Sequence, residues 1–283
     1  MTDTSSSRLS DQKPQTLEPS PALTPSLAQR LRALTPARVG LHRTGISQAT
    51  PELLDFQLAH GRARDAVHAP LQPAGLLVEL QTLLPQEKPL LLHSAAPDRN
   101  TYLQRPDLGR RLDELSRQRL QQRPSHYAYD LQIVIVDGLS SVAVDRHAVP
   151  LLTELLPSLA NSSPSLTLAP ICVVQQGRVA IGDEIAQALS ARMVIVLIGE
   201  RPGLSSPDSL GAYITWEPRP GLTTDAERNC ISNIRTEGLS YRDAAARLSF
   251  YIREAMDKQT TGIALKDPNL SHEPSQLKSG ESA

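Results

Sequence analysis

Gly138–Leu139–Ser140–Ser141–Val142 lies between a β-branched run and a helical pattern, the setting in which a strand-to-helix elbow presents a nucleophilic serine. The second glycine of G-x-S-x-G, which permits that strained turn, is missing, so a loop or helix-capping serine is the expectation. No G-x-G-x-x-G follows a strand and no G-x-x-x-x-G-K-[ST] occurs, which leaves standard dinucleotide and triphosphate binding unsupported. The histidines, His42, His60, His68, His93, His126, His147 and His272, form neither H-E-x-x-H nor a Cys/His cluster, so no metal site is expected. His147, within Asp145–Arg146–His147–Ala148–Val149–Pro150, reads as part of a solvated helix face. Glu200 ends an apolar run and opens a Pro- and Ser-rich loop. Its carboxylate could accept hydrogen bonds from neutral amides, worth about 1.5–3 kcal/mol net, or pair with Arg201 or another neighbour, worth little if exposed. Spacing does not choose between these. Cys172 sits in an apolar run and reads as a small hydrophobe, and Cys230 has the default reading of a buried apolar contact.

The elements that must position these residues divide the chain in two. In the first half, Thr24 and Pro25 give a helix start ahead of Leu27, Leu31 and Leu34, a short amphipathic piece that could dock on its own domain, a partner or a shell. Thr50–Pro51–Glu52 starts a second helix, with Leu53, Phe56, Ala59, Ala63 and Val67 as its apolar stripe. Residues 74–84 predict a Leu-rich helix, 89–93 a short buried strand, and 105–122 a further helix carrying Leu108, Leu112, Leu115 and Leu120. In the second half, the Val/Ile runs at 131–136, 171–174 and 193–198 predict strands, with a weaker fourth at 212–216. Helical patterns fall between the first three, at 140–158 and 179–191. Continuous apolar strands alternating with helices indicate a parallel sheet covered on both faces. The expected fold is α/β, an open parallel, Rossmann-like sheet flanked by helices, with a helical N-terminal region and a disordered N-terminal tail. Ligands of such sheets sit beyond the carboxyl ends of the strands, which directs attention to loops 137–141, 175–179 and 199–211. Ser240 then caps a last helix, with Asp243 in its first turn and Ala245, Leu248, Ile252 and Ala255 as its stripe.

Composition narrows the functional classes. Lys and Arg number 29 against 30 Asp and Glu, a formal net charge of −1, which argues against a nucleic-acid surface. Two cysteines cannot form a disulfide framework in a chain of 283 residues. No apolar run reaches the roughly 18–20 residues that span a bilayer, so no membrane partner is expected, and the N-terminus lacks a secretory apolar stretch. Hydrophobic residues make up 40%, but aromatics only 3%, so aliphatic side chains must fill the core. The expected division is a disordered tail over 1–22, a mainly helical region over 23–125, an α/β domain over 126–265 and a C-terminal tail over 266–283. Residues alone also admit a stand-alone α/β nucleotide-binding enzyme, or a structural adaptor.

Several longer strings carry a resemblance. They are Thr35–Pro36–Ala37–Arg38–Val39, Glu52–Leu53–Leu54–Asp55–Phe56–Gln57–Leu58–Ala59–His60 with Arg62–Ala63–Arg64–Asp65–Ala66–Val67–His68, and Val136–Asp137–Gly138–Leu139–Ser140. Further along come Gly182–Asp183–Glu184, Gly199–Glu200–Arg201–Pro202–Gly203–Leu204, Glu227–Arg228–Asn229–Cys230–Ile231–Ser232–Asn233–Ile234–Arg235 and Gly238–Leu239–Ser240–Tyr241. Over about residues 35–265 the chain resembles the small subunit of ethanolamine ammonia-lyase. The resemblance implies a non-catalytic subunit of an adenosylcobalamin-dependent lyase that converts ethanolamine to acetaldehyde and ammonia. A large catalytic subunit would bind ethanolamine, with region 23–125 contacting it. The cobalamin would be shared between the subunits, base-on. That agrees with His147, whose surroundings lack the final glycine of the D-x-H-x-x-G loop used by base-off cobalamin proteins. Carried over residue by residue, the small subunit's cobalamin contacts fall on Val179, Glu200 and Cys230. No catalytic residue is implied in this chain. The family's association with protein-shelled bacterial microcompartments implies a location there or in the cytoplasm, with the shell as a further partner.

Overall fold

The computed structural model describes residues 26–35, 37–123, 129–161 and 165–265. The expected tails, the start signal at Thr24 and Pro25, and His126 and His272 lie outside these residues. Two compact units divide between Glu52 and Leu53. In the first, α1 (Leu27–Ala33) is closed by a reciprocal cap in which Ser26 Oγ accepts from Gln29 N–H and Gln29 Oε1 accepts from Ser26 N–H at 2.7 Å. None of its residues is buried. A short antiparallel pair follows, β1 (Arg43–Thr44) and β2 (Ser47–Gln48), turned through Gly45 at φ +62°.

Helix α2 (Thr50–His68) buries Ala59, Ala63 and Ala66. The expected stripe holds only in its second half, because Leu53 and Phe56 at its start are 43% and 41% exposed. After α3 (Pro73–Leu83) and β3 (Leu90–His93) the expected single helix over 105–122 is absent. After α4 (Arg99–Gln104), its place is taken by a 3-10 turn at Leu108–Arg110 and by α5 (Glu114–Gln121). Pro106 cannot donate within a helix, and Asp98 and Asp113 cap the two separate helices by accepting from Thr101 and Ser116 N–H.

The rest of the chain runs β4 (Tyr129–Val136), α6 (Ser141–Ala160), β5 (Cys172–Gln175), α7 (Ile181–Ala188), β6 (Ala191–Gly199), β7 (Leu210–Trp216), β8 (Arg228–Ile234) and α8 (Tyr241–Lys258). One sheet unites β3-β5-β4-β6-β7-β8. Its first four strands are parallel, β7 runs antiparallel to β6, and β8 runs antiparallel to β7, back in the first direction. The sheet is therefore mixed but mostly parallel. The weak fourth strand is real and starts at Leu210, and β8 adds a strand that the sequence pattern did not announce. β8 reads Arg-Asn-Cys-Ile-Ser-Asn-Ile, too polar for a buried run and placed at the sheet's edge.

Each central strand alternates between two cores. Leu131, Ile133 and Ile135 join Val173, Ile195 and Leu197 under α6 and α8. Val134 and Val136 join Cys172, Val174, Val194 and Val196 under α7. This period of two explains why the runs are apolar throughout. Connections from β4 and β5 leave for helices on opposite faces of the sheet, and a crevice opens where they part.

His147 belongs to the buried face of α6 rather than a solvated one. It is 3% exposed, one helical turn from Val144 and Leu151. Its Nδ1 lies 2.8 Å from the Tyr241 hydroxyl and its Nε2 3.5 Å from Asp208. Burial draws the imidazole below its ordinary range, against the pull of Asp208.

Candidate functional site

The loops at the carboxyl ends of β4, β5 and β6 interlock. Leu139 N–H donates to Gly199 O at 2.9 Å. Gly138 takes φ +58°, and a Cβ there would stand 2.3 Å from Gly199 O, so only glycine allows both the turn and the approach. The buried Asp137 carboxylate accepts from Gln176 N–H at 2.8 Å and Gly177 N–H at 3.1 Å, tying the first loop to the second. Arg99 stands 3.7 Å from Asp137 and donates to Gly138 O and Val67 O, each at 2.7 Å. Burial raises the Asp137 carboxyl above the usual carboxylate range, while these amides and the guanidinium oppose the rise. Ser140 is a helix cap, accepting from Ala143 N–H and donating to Pro207 O, which uses its hydroxyl structurally.

Beside these loops lies an open cleft of about 1220 Å³. Val179 and Ala180, at the start of α7, form part of its wall; Ile198, Gly199 and Glu200 close the end of β6. Tyr102 and Arg111, and Gly221 with Thr223, Thr224 and Asp225, also line it. The last two groups lie outside the three loops expected from the strand ends. Tyr102 lies on α4, and the rest come from turns and short connections, where no periodic signal exists to read.

Of the three residues carried over from the resemblance, Val179 and Glu200 line this cleft. Val179 packs its partly buried side chain on the apolar cluster beneath α7. Glu200 makes no ion pair with Arg201; its Oε2 accepts from the Ser209 hydroxyl and from Asn233 N–H at 3.2 Å. Oε1 receives no hydrogen bond among the described residues. Gly211 leaves it room, since a Cβ there would stand 2.9 Å from Oε1.

Cys230 is exposed, not the buried apolar contact of its default reading. It lies on edge strand β8 directly opposite Tyr213 of β7, and Tyr213 lines the cleft. Burial, reinforced by the Cys230 thiol, pushes the Tyr213 phenol upward. Two residues earlier on the same face of β8, Arg228 forms a bidentate pair with Asp183 of α7 at 2.8 and 2.6 Å and donates to Thr215 at 2.9 Å. These contacts join α7, β7 and β8 under the cleft. Cys172, by contrast, is buried in the core, where burial raises its thiol to about 12.

An open, mostly parallel α/β sheet with a cleft at its diverging strand tips places the chain among doubly wound folds. The family model described as "Ethanolamine ammonia-lyase light chain (EutC)" matches residues 25–266. Ethanolamine ammonia-lyase small subunits of Pseudomonas fluorescens (strain Pf0-1) and Pseudomonas aeruginosa (strain LESB58) are each 56% identical to the chain over 239 residues. Those alignments cover 84% of this chain and 85% and 86% of the relatives. The Pseudomonas syringae pv. tomato (strain ATCC BAA-871 / DC3000) small subunit is 54% identical over the same length, 82% of that protein. The chain belongs to the ethanolamine ammonia-lyase light-chain family.

Proposed function

We propose that this chain is the small, non-catalytic subunit of an adenosylcobalamin-dependent ethanolamine ammonia-lyase, which converts ethanolamine to acetaldehyde and ammonia, and that it holds the cofactor against a large catalytic subunit. Family membership supports the subunit role. The cofactor role rests on one observation above the others: an open cleft in which Glu200 is anchored through one carboxylate oxygen and offers the other.

The residues present suit the group. A corrin's edge carries neutral amides, which need acceptors, and Oε1 of Glu200 is such an acceptor. Val179 supplies an apolar contact and Cys230 a small one at an exposed edge. A cofactor as large as a cobalamin in an open cleft is covered on one side only, leaving the other for a second protein. Bound adenosylcobalamin supplies the radical that starts the lyase chemistry, while protein supplies orientation and exclusion of side reactions. Here Val179, Glu200 and Cys230 orient; ethanolamine sits on the large subunit, and no residue of this chain acts as acid, base or radical carrier.

We assign region 23–125 to contact with the large subunit and 126–265 to the cofactor. The location is the cytoplasm or a bacterial microcompartment, with the shell as a further partner. Glu200→Ala removes the acceptor and leaves an amide unpaired, so cobalamin retention by the reconstituted two-subunit complex falls by about 1–3 kcal/mol. A visible-spectrum titration measures it; unchanged affinity would overturn the role given to Glu200.

A further inference from the structure

Helix α2 is anchored at its far end and loose at its start. Of its 19 residues it buries Ala59, Ala63 and Ala66, small side chains that remove little apolar surface from water, while Leu53, Leu54, Phe56 and Leu58 stay exposed. Elements with so few buried apolar contacts open more readily than the core. The far end is tied by polar bonds instead. Arg99 Nε donates to Val67 O, and the Ser141 hydroxyl donates to Ala69 O just beyond the helix, each at 2.7 Å.

Both ties lead to the strand-tip loops. Ser141 ends the first of them, and the guanidinium that holds Val67 also donates through Nη1 to Gly138 O at 2.7 Å and to Gln176 Oε1 at 3.4 Å. Gly138 and Gln176 both take left-handed backbone, at φ +58° and +57°. For Gln176, which carries a Cβ, that conformation is unfavourable and persists only where its surroundings over-determine it. Asp137 supplies part of that restraint by accepting from Gln176 N–H at 2.8 Å, and Tyr102, on the same helix as Arg99, adds a bond from its hydroxyl to Gly177 O at 3.0 Å. Arg99 contributes the remainder, and it alone of these groups also holds α2. Its Nη2 is buried and has no acceptor among the described residues, so one arm of the fork is free to follow the helix.

The exposed start of α2 and the tied end belong to one rigid rod, with Leu58 and Val67 about 14 Å apart along the axis. We propose that Arg99 couples α2 to the cleft, so that the large subunit, by gripping the apolar start of the helix, orders loops 137–141 and 175–179 without touching them. This rests on the assignment of region 23–125 to the large subunit and deepens it. Assembly then removes the freedom of the loops before any ligand arrives, which is coupling through order rather than through a change of shape.

Hydrogen exchange of backbone amides, in the full chain alone and in the complex reconstituted with the large subunit but without cofactor, reads this coupling. In wild type, assembly slows exchange at Leu139, Gln176 and Gly177 roughly 10-fold or more. In Arg99→Met the same amides gain less than about twofold, while the subunits still assemble with a Kd within about threefold of wild type. Arg99→Lys keeps a positive charge beside Asp137 but offers one donor atom in place of two spaced ones, and it loses the gain as well. That variant keeps the test decisive if Arg99→Met does not fold. No gain at these amides when the wild-type subunits assemble, or a full gain in either variant, overturns the coupling and leaves the subunit reading standing. Wild-type subunits that do not assemble overturn both.

Discussion

At Glu200 a single residue is divided between the fold and the role proposed for it. Oε2 is fixed by Ser209 and by the Asn233 amide, so the side chain loses its freedom before any ligand arrives, and Oε1 is left as the acceptor. Such preorganisation reduces the ordering cost of binding. His147 makes the opposite use of chemistry: its ring is enclosed by Tyr241 and Asp208, with Arg146 close by, and burial holds it neutral. The sign of its effect on stability follows directly. A histidine whose folded-state pKa is depressed leaves the unfolded chain binding more protons, so its contribution is intact above the ordinary value of 6.5 and is lost as pH falls below it. Urea midpoints of the chain therefore decrease from about pH 7.5 to about pH 5.5, and His147→Gln flattens that part of the curve. Asp208, whose carboxyl is held below its ordinary value despite burial because Arg146 and His147 offset it, stays ionised through this window and adds no slope.

Among elements, the important joint is the one that fixes α7 to the antiparallel end of the sheet. Val179 precedes α7 and Cys230 sits on β8, so the distance between them depends on the Arg228–Asp183 pair and its bond to Thr215. Side chains of the pair are 3% and 1% exposed. Burial pushes the Asp183 carboxyl up, and only the guanidinium pulls it back. Arg228→Met leaves that carboxylate without its partner and costs about 3–5 kcal/mol of unfolding free energy in denaturant titration. Arg228→Met combined with Asp183→Leu recovers most of the loss, because two apolar groups of similar volume need no desolvation of charge. A loss that persists in the double variant would show packing, not charge, to be the main term. The 3-10 turn at Leu108–Arg110 is a second joint, since Gly109 provides the gap through which the Arg178 stem reaches Tyr102.

At the scale of the molecule, the described residues leave open the cleft and the first turns of α2. Leu54 and Leu58, one helical turn apart, are 59% and 53% exposed, although the helix buries its alanines further on. Exposed apolar groups at helical spacing are suited to a partner's groove. If the large subunit covers this face, Leu54→Glu with Leu58→Glu weakens assembly of the two-subunit complex by at least about 2 kcal/mol, measured by sedimentation or calorimetry. The isolated variant should melt within about 1 kcal/mol of wild type, as surface changes usually do. Unaltered assembly would remove this face from the interface. Among the described residues, no helix is long and apolar enough to cross a membrane.

Local sequence determined the central strands and most helices, because a period of two or of 3.6 in apolar residues is set by backbone geometry wherever one face must be buried. The strand-end rule then located the cleft through Val179 and Glu200, since parallel strands necessarily deliver their loops to one edge. The resemblance, not periodicity, singled out Cys230; its exposure and its place opposite Tyr213 depend on β8 pairing antiparallel at the edge, a choice made between strands distant in sequence. The burial of His147 against Tyr241, the stacking of Arg178 on Tyr102 and the Arg228–Asp183 clamp have the same origin. Each joins residues dozens of positions apart, and a linear pattern holds no information about which side chain will face which until the sheet order and the helix packing bring them together.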